Sequence, residues 1–333
     1  MAKKLGLDMG RSSVKITGES GSILFPSLAA LPGGNSAELV SRSKKNRPML
    51  VRMDGRELFV GHNAHRAGIQ PLENFSMDQL TNATIEMRAI LVGALTSYQR
   101  KFSVDFSEPI EVVAGLPYQL LDGDKKQVDK WNSQIKGWIG GLHEWQADGK
   151  NMSANIVKVG LAPQAFGVQT DYVFGMDGNP IDEARAKVMK LENGAISIGS
   201  STVETQVTWK DIDTRRYCGG KPIGVRWLKS ISDPHDRYYF GEWSELLQSD
   251  ELPEQFDVNP HLDAWWTEVD RFLNEKWRGE DWQRFAKVFV VGGGSILLRK
   301  HLMDKFNGRA VFFDDAIMPI SRGLYKAALR MKG

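Results

Sequence analysis

The 333 residues contain a single cysteine, Cys218. That excludes an intramolecular disulfide framework and a zinc cluster built on several thiolates, and it fits a reducing compartment. An excess of one charge is also missing. With 43 basic against 41 acidic residues the formal charge is +2, too little for a tail-driven nucleic-acid binder, although a local basic patch stays open. No stretch approaches the ~20 apolar residues that a membrane span needs. The opening MAKKLGLDMG has too short an apolar run for a secretory signal and carries Asp8 inside it. No amphipathic anchor is evident at the N-terminus, so direct membrane binding is not expected. Together these absences lead to the expectation of a cytoplasmic protein. What is present is enough for two ordinary domains of ~100–200 residues each, and 41% hydrophobic content argues against disorder.

Leu5, Leu7 and Met9 alternate with Gly6 and Asp8, and Val14 and Ile16 alternate after a break at residues 10–13. That pattern predicts an N-terminal β-hairpin, followed by a third strand over residues 21–25. Residues 33–48 are rich in Gly, Ser and Lys and read as an exposed excursion. Residues 51–61 read as a hairpin around Asp54-Gly55. From Leu80 to Phe102, apolar residues at steps of three and four predict one long amphipathic helix. A buried strand over 110–114, a helix near 124–138 and a strand over 155–161 follow. In the second half, strands over 195–198 and 203–209 flank Gly199 to Thr202. Asn259-Pro260 opens a helix whose apolar face carries Trp265, Val269, Phe272 and Leu273. A buried strand over 288–291 runs into three glycines, and a helix closes the chain. All ten tryptophans lie after residue 130, and most are expected in the core.

One internal repeat stands out. A shift of 189 residues lays Leu7 on Ile196, Met9 on Ile198, Gly10 on Gly199, Ser12 on Ser201, Ser13 on Thr202 and Val14 on Val203. Two halves that each open with strand, Gly/Ser turn and strand suggest a duplicated α/β domain.

Three segments have the composition of phosphate-binding loops. The turn Gly10-Arg11-Ser12-Ser13 can present backbone N–H groups and hydroxyls to an anion, because glycine lets the backbone approach closely and successive amides form an anion-binding concavity. Gly199-Ser200-Ser201-Thr202 can do the same. Asp8 can hold a Mg²⁺ through water, and Lys15 can neutralise phosphate charge. An ordinary hairpin with a solvated Asp and Lys explains the first turn equally well. In VFVVGGGSILL, a β-branched strand ends in Gly292-Gly293-Gly294-Ser295 and opens a helix, which leaves room for a ring or phosphate against bare backbone. It is not the GxGxxG fingerprint of dinucleotide folds. A tight strand-to-helix turn is the plainer explanation, but three consecutive glycines exceed what such a turn needs.

In order and spacing these segments resemble the nucleotide signature of the actin-like ATPase superfamily, which also holds sugar kinases and the 70-kDa heat-shock chaperones. LDMGRSSVK resembles the phosphate-1 loop, AGLP at 114–117 the first connecting segment, SIGSSTVE at 197–204 phosphate-2, VVGGGSILL the adenosine loop, and PISRGLYKAAL at 319–329 the second connecting helix. Within the superfamily, the length, RMDGRELFVGHNA at 52–64 and RGLYK look most like the ParM/StbA plasmid-segregation actins.

The resemblance implies a duplicated actin-like, ribonuclease H-like α/β fold with a nucleotide cleft between the domains. Domain I would span residues 1–165, with the C-terminal helix 319–333 returning to it, and domain II residues 166–318. It further implies ATP or GTP binding with Mg²⁺, hydrolysis, polymerisation with further copies of the chain, and segregation of plasmid or other DNA through a DNA-binding adaptor. Asp8, Gly10, Ser12 and Lys15 match the phosphate-1 pattern, and Gln164 sits where relatives carry a Gln or Glu that positions the attacking water. The nucleotide contacts implied are Gly10, Arg11, Ser12, Ser13, Lys15, Gly199, Ser200, Ser201, Thr202, Gly292, Gly293, Gly294 and Ser295, with Asp8 and Gln164 catalytic. Ser197 departs from the pattern, since relatives usually place Asp there. The loop SKKNRP, 43–48, falls where relatives reach into the next subunit, or is simply a solvated charge run. A small-molecule kinase of the same superfamily and a nucleotide-binding scaffold with weak hydrolysis remain as alternatives.

Overall fold

The computed structural model describes residues 2–33, 47–73, 75–210 and 212–331. The chain divides into two compact units. One is formed by Met1–Leu116, Asp122–Ala162 and Ala327–Gly333, the other by Pro117–Leu121 and Pro163–Lys326.

Among the described residues the first unit carries ten strands: β1 (Lys3–Met9), β2 (Ser13–Gly18), β3 (Gly21–Pro26), β4 (Leu28–Pro32), β5 (Met49–Met53), β6 (Arg56–Val60), β7 (Gly68–Glu73), β8 (Ile110–Leu116), β9 (Gly141–Ala147) and β10 (Lys150–Pro163). They form one sheet in the order β3-β2-β1-β8-β10-β9-β5-β6-β4-β7. Helix α1 (Ile85–Phe102) lays Met87, Ile90, Leu91, Ala94, Leu95 and Tyr98 into the core. The expected single helix from residue 80 is two: a short helix Met77–Thr81 precedes α1, and the chain breaks at Ala83, whose φ is 53°. A left-handed alanine costs ~1–2 kcal/mol, and the apolar spacing across the break carries no sign of it. Asp54 and Gly55 both have positive φ, 49° and 71°, as the tight hairpin between β5 and β6 demands. Helix α2 (Lys125–Ile139) starts at Asp124, which caps it by accepting from the Gln127 N–H at 3.0 Å. Of the loop 43–48, residues 43–46 lie outside the described residues.

The second unit carries β11 (Glu192–Ile198), β12 (Val203–Trp209), β13 (Ile212–Asp213), β14 (Gly219–Lys221), β15 (Val288–Val291) and β16 (Ala310–Phe312). Its sheet runs β13-β12-β11-β15-β16, with β14 on β12. Helices α3 (Gln164–Val173), α4 (Val225–Ser232) and α5 (Leu262–Lys276) belong to this unit, as does the Pro319–Lys326 part of α6 (Pro319–Arg330). Trp243, Trp265 and Trp277 are fully buried in one cluster with Phe272, Phe285 and Phe306. Asn259-Pro260 opens a 3-10 turn, Asn259–His261, and α5 begins just after it.

The repeat seen in the sequence extends to hydrogen-bond register. In the first sheet Leu7 faces Ile16 and Met9 faces Val14; in the second, Ile196 faces Thr205 and Ile198 faces Val203. Both strands of the hairpin keep the 189-residue offset. The other neighbours agree as well: β1 pairs in parallel with β8, and β11 in parallel with β15. A one-residue slip would turn every side chain to the wrong face, so both hairpins present equivalent positions to equivalent surroundings.

Candidate functional site

In the first unit, Asp8 and Lys15 face each other across β1 and β2, with Lys15 Nζ 3.0 Å from Asp8 Oδ2 and Asp8 only 1% exposed. In the turn, the Gly10 carbonyl accepts from the Ser27 hydroxyl at 2.8 Å, and the Ser12 carbonyl from the Ser27 N–H at 2.9 Å. A trans peptide points its N–H opposite to its C=O. The Arg11 and Ser13 N–H groups therefore point away from Ser27. Arg11 Nε is buried without a hydrogen-bond partner, a donor suited to an anion. A Cβ on Gly10 would lie 2.6 Å from the Ser13 carbonyl oxygen, so this turn closes only on glycine.

In the second unit the same logic is built from different partners. The carbonyls of Gly199, Ser200 and Ser201 accept from the N–H groups of Val225, Arg226 and Gly224 at 3.1, 2.7 and 3.2 Å. The N–H groups of Ser200, Ser201 and Thr202 are thereby turned away from the start of α4. Gly224 makes this docking possible, because a Cβ there would sit 2.5 Å from the Gly199 oxygen. Nothing in the sequence around Gly224 marks that role.

The triple glycine divides its tasks. Gly292 has φ 92°, and its Cβ would fall 2.4 Å from the Ile198 oxygen; a Cβ on Gly294 would fall 2.3 Å from Ile198 Cγ2 and 3.0 Å from Trp265. Gly293 has helical angles, φ −57° and ψ −34°, and nothing within 4 Å of its Cβ direction. Ser295 donates its hydroxyl to the Gly292 oxygen at 2.7 Å and fixes the turn.

Gln164 is the first residue of α3. That helix lies against α6 at two glycines, where a Cβ on Gly323 would come within 1.6 Å of the Gly167 oxygen. Asp171, further along α3, is held by Lys326 at 2.6 Å and Arg322 at 2.9 Å. Gln164, Ser197, Glu204 and Tyr118 border one small cavity of about 20 Å³ in this unit. Glu204, 8% exposed, faces Ser197 across β11 and β12 and accepts from the Tyr118 N–H at 3.3 Å and the Thr202 hydroxyl at 3.4 Å. Gln206, also on the wall, donates to Asp213 at 2.7 Å; burial pushes the Asp213 carboxyl up from its ordinary range, against the pull of that hydrogen bond. Sequence reasoning missed Glu204 and Tyr118. The signal for Glu204 was the repeat itself, which sets Ser197 and Glu204 at the places of Asp8 and Lys15.

Among the described residues no group of three or more His, Cys, Asp or Glu stands together as metal ligands. A metal bound at Asp8 would complete its shell with water and phosphate, as Mg²⁺ does. Among the described residues no helix is long and apolar enough to cross a membrane.

Two α/β units that open with the same Gly-turn hairpin, one carrying a buried Asp–Lys pair, make up the chain. Residues 6–167 match the family model described as the N-terminal domain of actin-like proteins, and the chain has the fold of the actin-like ParM proteins. Over 99% of its length it superposes on a non-polymerisable quadruple mutant of pCBH ParM, covering 100% of that chain at 18% identity and TM-score 0.73. It is similar in the same way to the archaeal actin homologue Ta0583 in complex with ADP, at 17% identity and TM-score 0.70 over 99% and 100% of the two chains. A 15-stranded ParM filament from Clostridium botulinum gives 16% identity and TM-score 0.68 over 99% of both chains. No curated protein sequence matches the chain.

Proposed function

We propose that this protein is a filament-forming nucleoside triphosphatase that binds ATP or GTP with Mg²⁺, polymerises, and moves plasmid or other DNA through an adaptor. The observation that carries the reading is the pair of hairpins in one register, each with its turn carbonyls held by neighbouring donors so that the turn amides face the other way. Amides so arranged favour an anion. Each turn has amides suited to phosphate oxygens, those of Arg11 and Ser13 in the first unit and of Ser200, Ser201 and Thr202 in the second, with Lys15 and Arg11 supplying positive charge in the first. Gly293 leaves bare backbone for the base or ribose. Asp8 would hold a hydrated metal through water, and the metal would supply neutralisation of phosphate charge. Gln164 holds the attacking water; positioning and electrostatics dominate phosphoryl transfer, so a neutral amide suffices. The ADP complex of Ta0583 supports the nucleotide, and the filaments of Alp12 and of the C. botulinum ParM support self-association.

Head-to-tail contacts generate open filaments unless the rotation closes, and nucleotide favours whichever conformation it binds better. Ser197 favours a second reading, a scaffold that binds nucleotide and scarcely hydrolyses it. Negative-stain microscopy with and without ATP or GTP, together with phosphate release, separates the two: filaments with turnover support the first, nucleotide binding without turnover the second. A chain that stays monomeric with every nucleotide refutes polymerisation.

A further inference from the structure

The cavity beneath Gln164 supports a role for Glu204, and this inference rests on the hydrolytic reading above. Its volume of about 20 Å³ exceeds the ~10–15 Å³ that a single water needs. A buried water also requires two to four polar partners. Gln164, Ser197 and Glu204 border the space, together with apolar residues such as Val168, Val291 and Ile320. Among the residues that line it, Glu204 is the one carboxylate. The two hairpins differ at this point in an informative way. In the first, the acid stands on the leading strand, at Asp8, and the base opposite at Lys15. In the second, the corresponding positions hold Ser197 and Glu204. The acid has moved one step across the ladder, to a residue ~5 Å away, and it still borders the cavity that Gln164 borders.

We infer that Glu204 is the positioning carboxylate of the second hairpin, holding the Gln164 amide through one water lodged in this cavity and so supplying the charge that Ser197 cannot. The side chain is anchored for that purpose. Tyr118 and Thr202 donate to its two oxygens, which fixes the carboxylate against the wall. A carboxylate accepts only, so the water donates to it, and the water's oxygen is left to accept from the Gln164 NH₂ group.

The test uses the full chain with Mg²⁺ and ATP or GTP, read as turnover at saturating nucleotide, nucleotide affinity, and the pH profile of turnover. Glu204→Gln keeps an acceptor for the Tyr118 N–H and removes the charge. It is expected to lower turnover by ~10²-fold, the scale of lost positioning, with nucleotide affinity unchanged and the acid limb of the profile altered. Ser197→Asp in the Glu204→Gln background restores a charge across the same pair and is expected to recover at least tenfold of that loss. Glu204→Asp, which keeps the charge, should lose less than Glu204→Gln, and guards against a variant weakened only by poor folding. Wild-type turnover in Glu204→Gln, or no recovery on adding Ser197→Asp, overturns the role of Glu204 while leaving the hydrolytic reading in place. A wild-type chain that binds nucleotide and never hydrolyses it overturns both.

Discussion

Substitutions along Gly292-Gly293-Gly294 separate what the fold requires from what a ligand requires. Gly292→Ala forces a non-glycine residue to φ 92° and drives its Cβ to 2.4 Å from the Ile198 oxygen. The backbone term is ~1–2 kcal/mol and the overpacking ~1–3 kcal/mol, so a loss of about 2–5 kcal/mol is expected. Gly294→Ala keeps an allowed conformation but meets Ile198 Cγ2 at 2.3 Å and Trp265 at 3.0 Å, which places it in the overpacking range alone, ~1–3 kcal/mol. Gly293→Ala should be neutral or stabilising by ~0.4–1 kcal/mol, because its angles are helical and its Cβ direction is open. Gly293→Val adds only the small cost of a β-branched residue at a helix start, below about 1 kcal/mol. Urea denaturation of the four variants gives the stabilities. Titration with a fluorescent ATP analogue gives the affinities. Gly293→Val is expected to fold like wild type and to lose nucleotide binding. Unchanged affinity in that folded variant would refute the placement of the nucleotide, and a Gly293→Ala variant as unstable as Gly292→Ala would refute the division of labour within the turn.

Gln164→Ala should keep nucleotide binding and slow phosphate release by ~10²-fold or more; an unchanged rate under polymerising conditions sinks its assignment. With ATP or GTP and Mg²⁺, light scattering should rise above a critical protein concentration and decay as nucleotide is consumed, with turnover per subunit increasing across that threshold. Asp171→Ala leaves Lys326, 5% exposed, without its carboxylate and should cost ~3–5 kcal/mol in urea denaturation. His143 is held neutral, its pKa lowered by burial despite the Ile139 carbonyl at 2.9 Å. Because the unfolded state takes up its proton first, this residue should erode stability as pH falls below the ordinary value of about 6.5 and contribute nothing above it. Thermal melts of His143→Gln should show that part of the pH dependence removed.

Short-range patterns made much of this protein legible. Alternation of Leu5, Leu7 and Met9, turn residues at Gly10 and Gly199, and helical spacing through α1 each record a local choice between two periods. The repeat then carried information about register, since strands built alike and paired on both sides by like neighbours settle into the same ladder. Other features depended on residues far apart in sequence. The sequence offered three equivalent glycines at 292–294, and it took Ile198 and Trp265 to show that two of them serve packing and one does not. Ala83 broke a helix that its neighbours' spacing continued. Gly224 looked like any glycine until Gly199 was found beneath it. Glu204 lies on a strand with nothing beside it in sequence to single it out, and only the closing of Tyr118, Gln164 and Ser197 around one small cavity gives its charge a place to act. Local propensity is set by a few neighbouring residues. Steric exclusion and burial are set by whatever the rest of the chain brings alongside, and that is decided only when it folds.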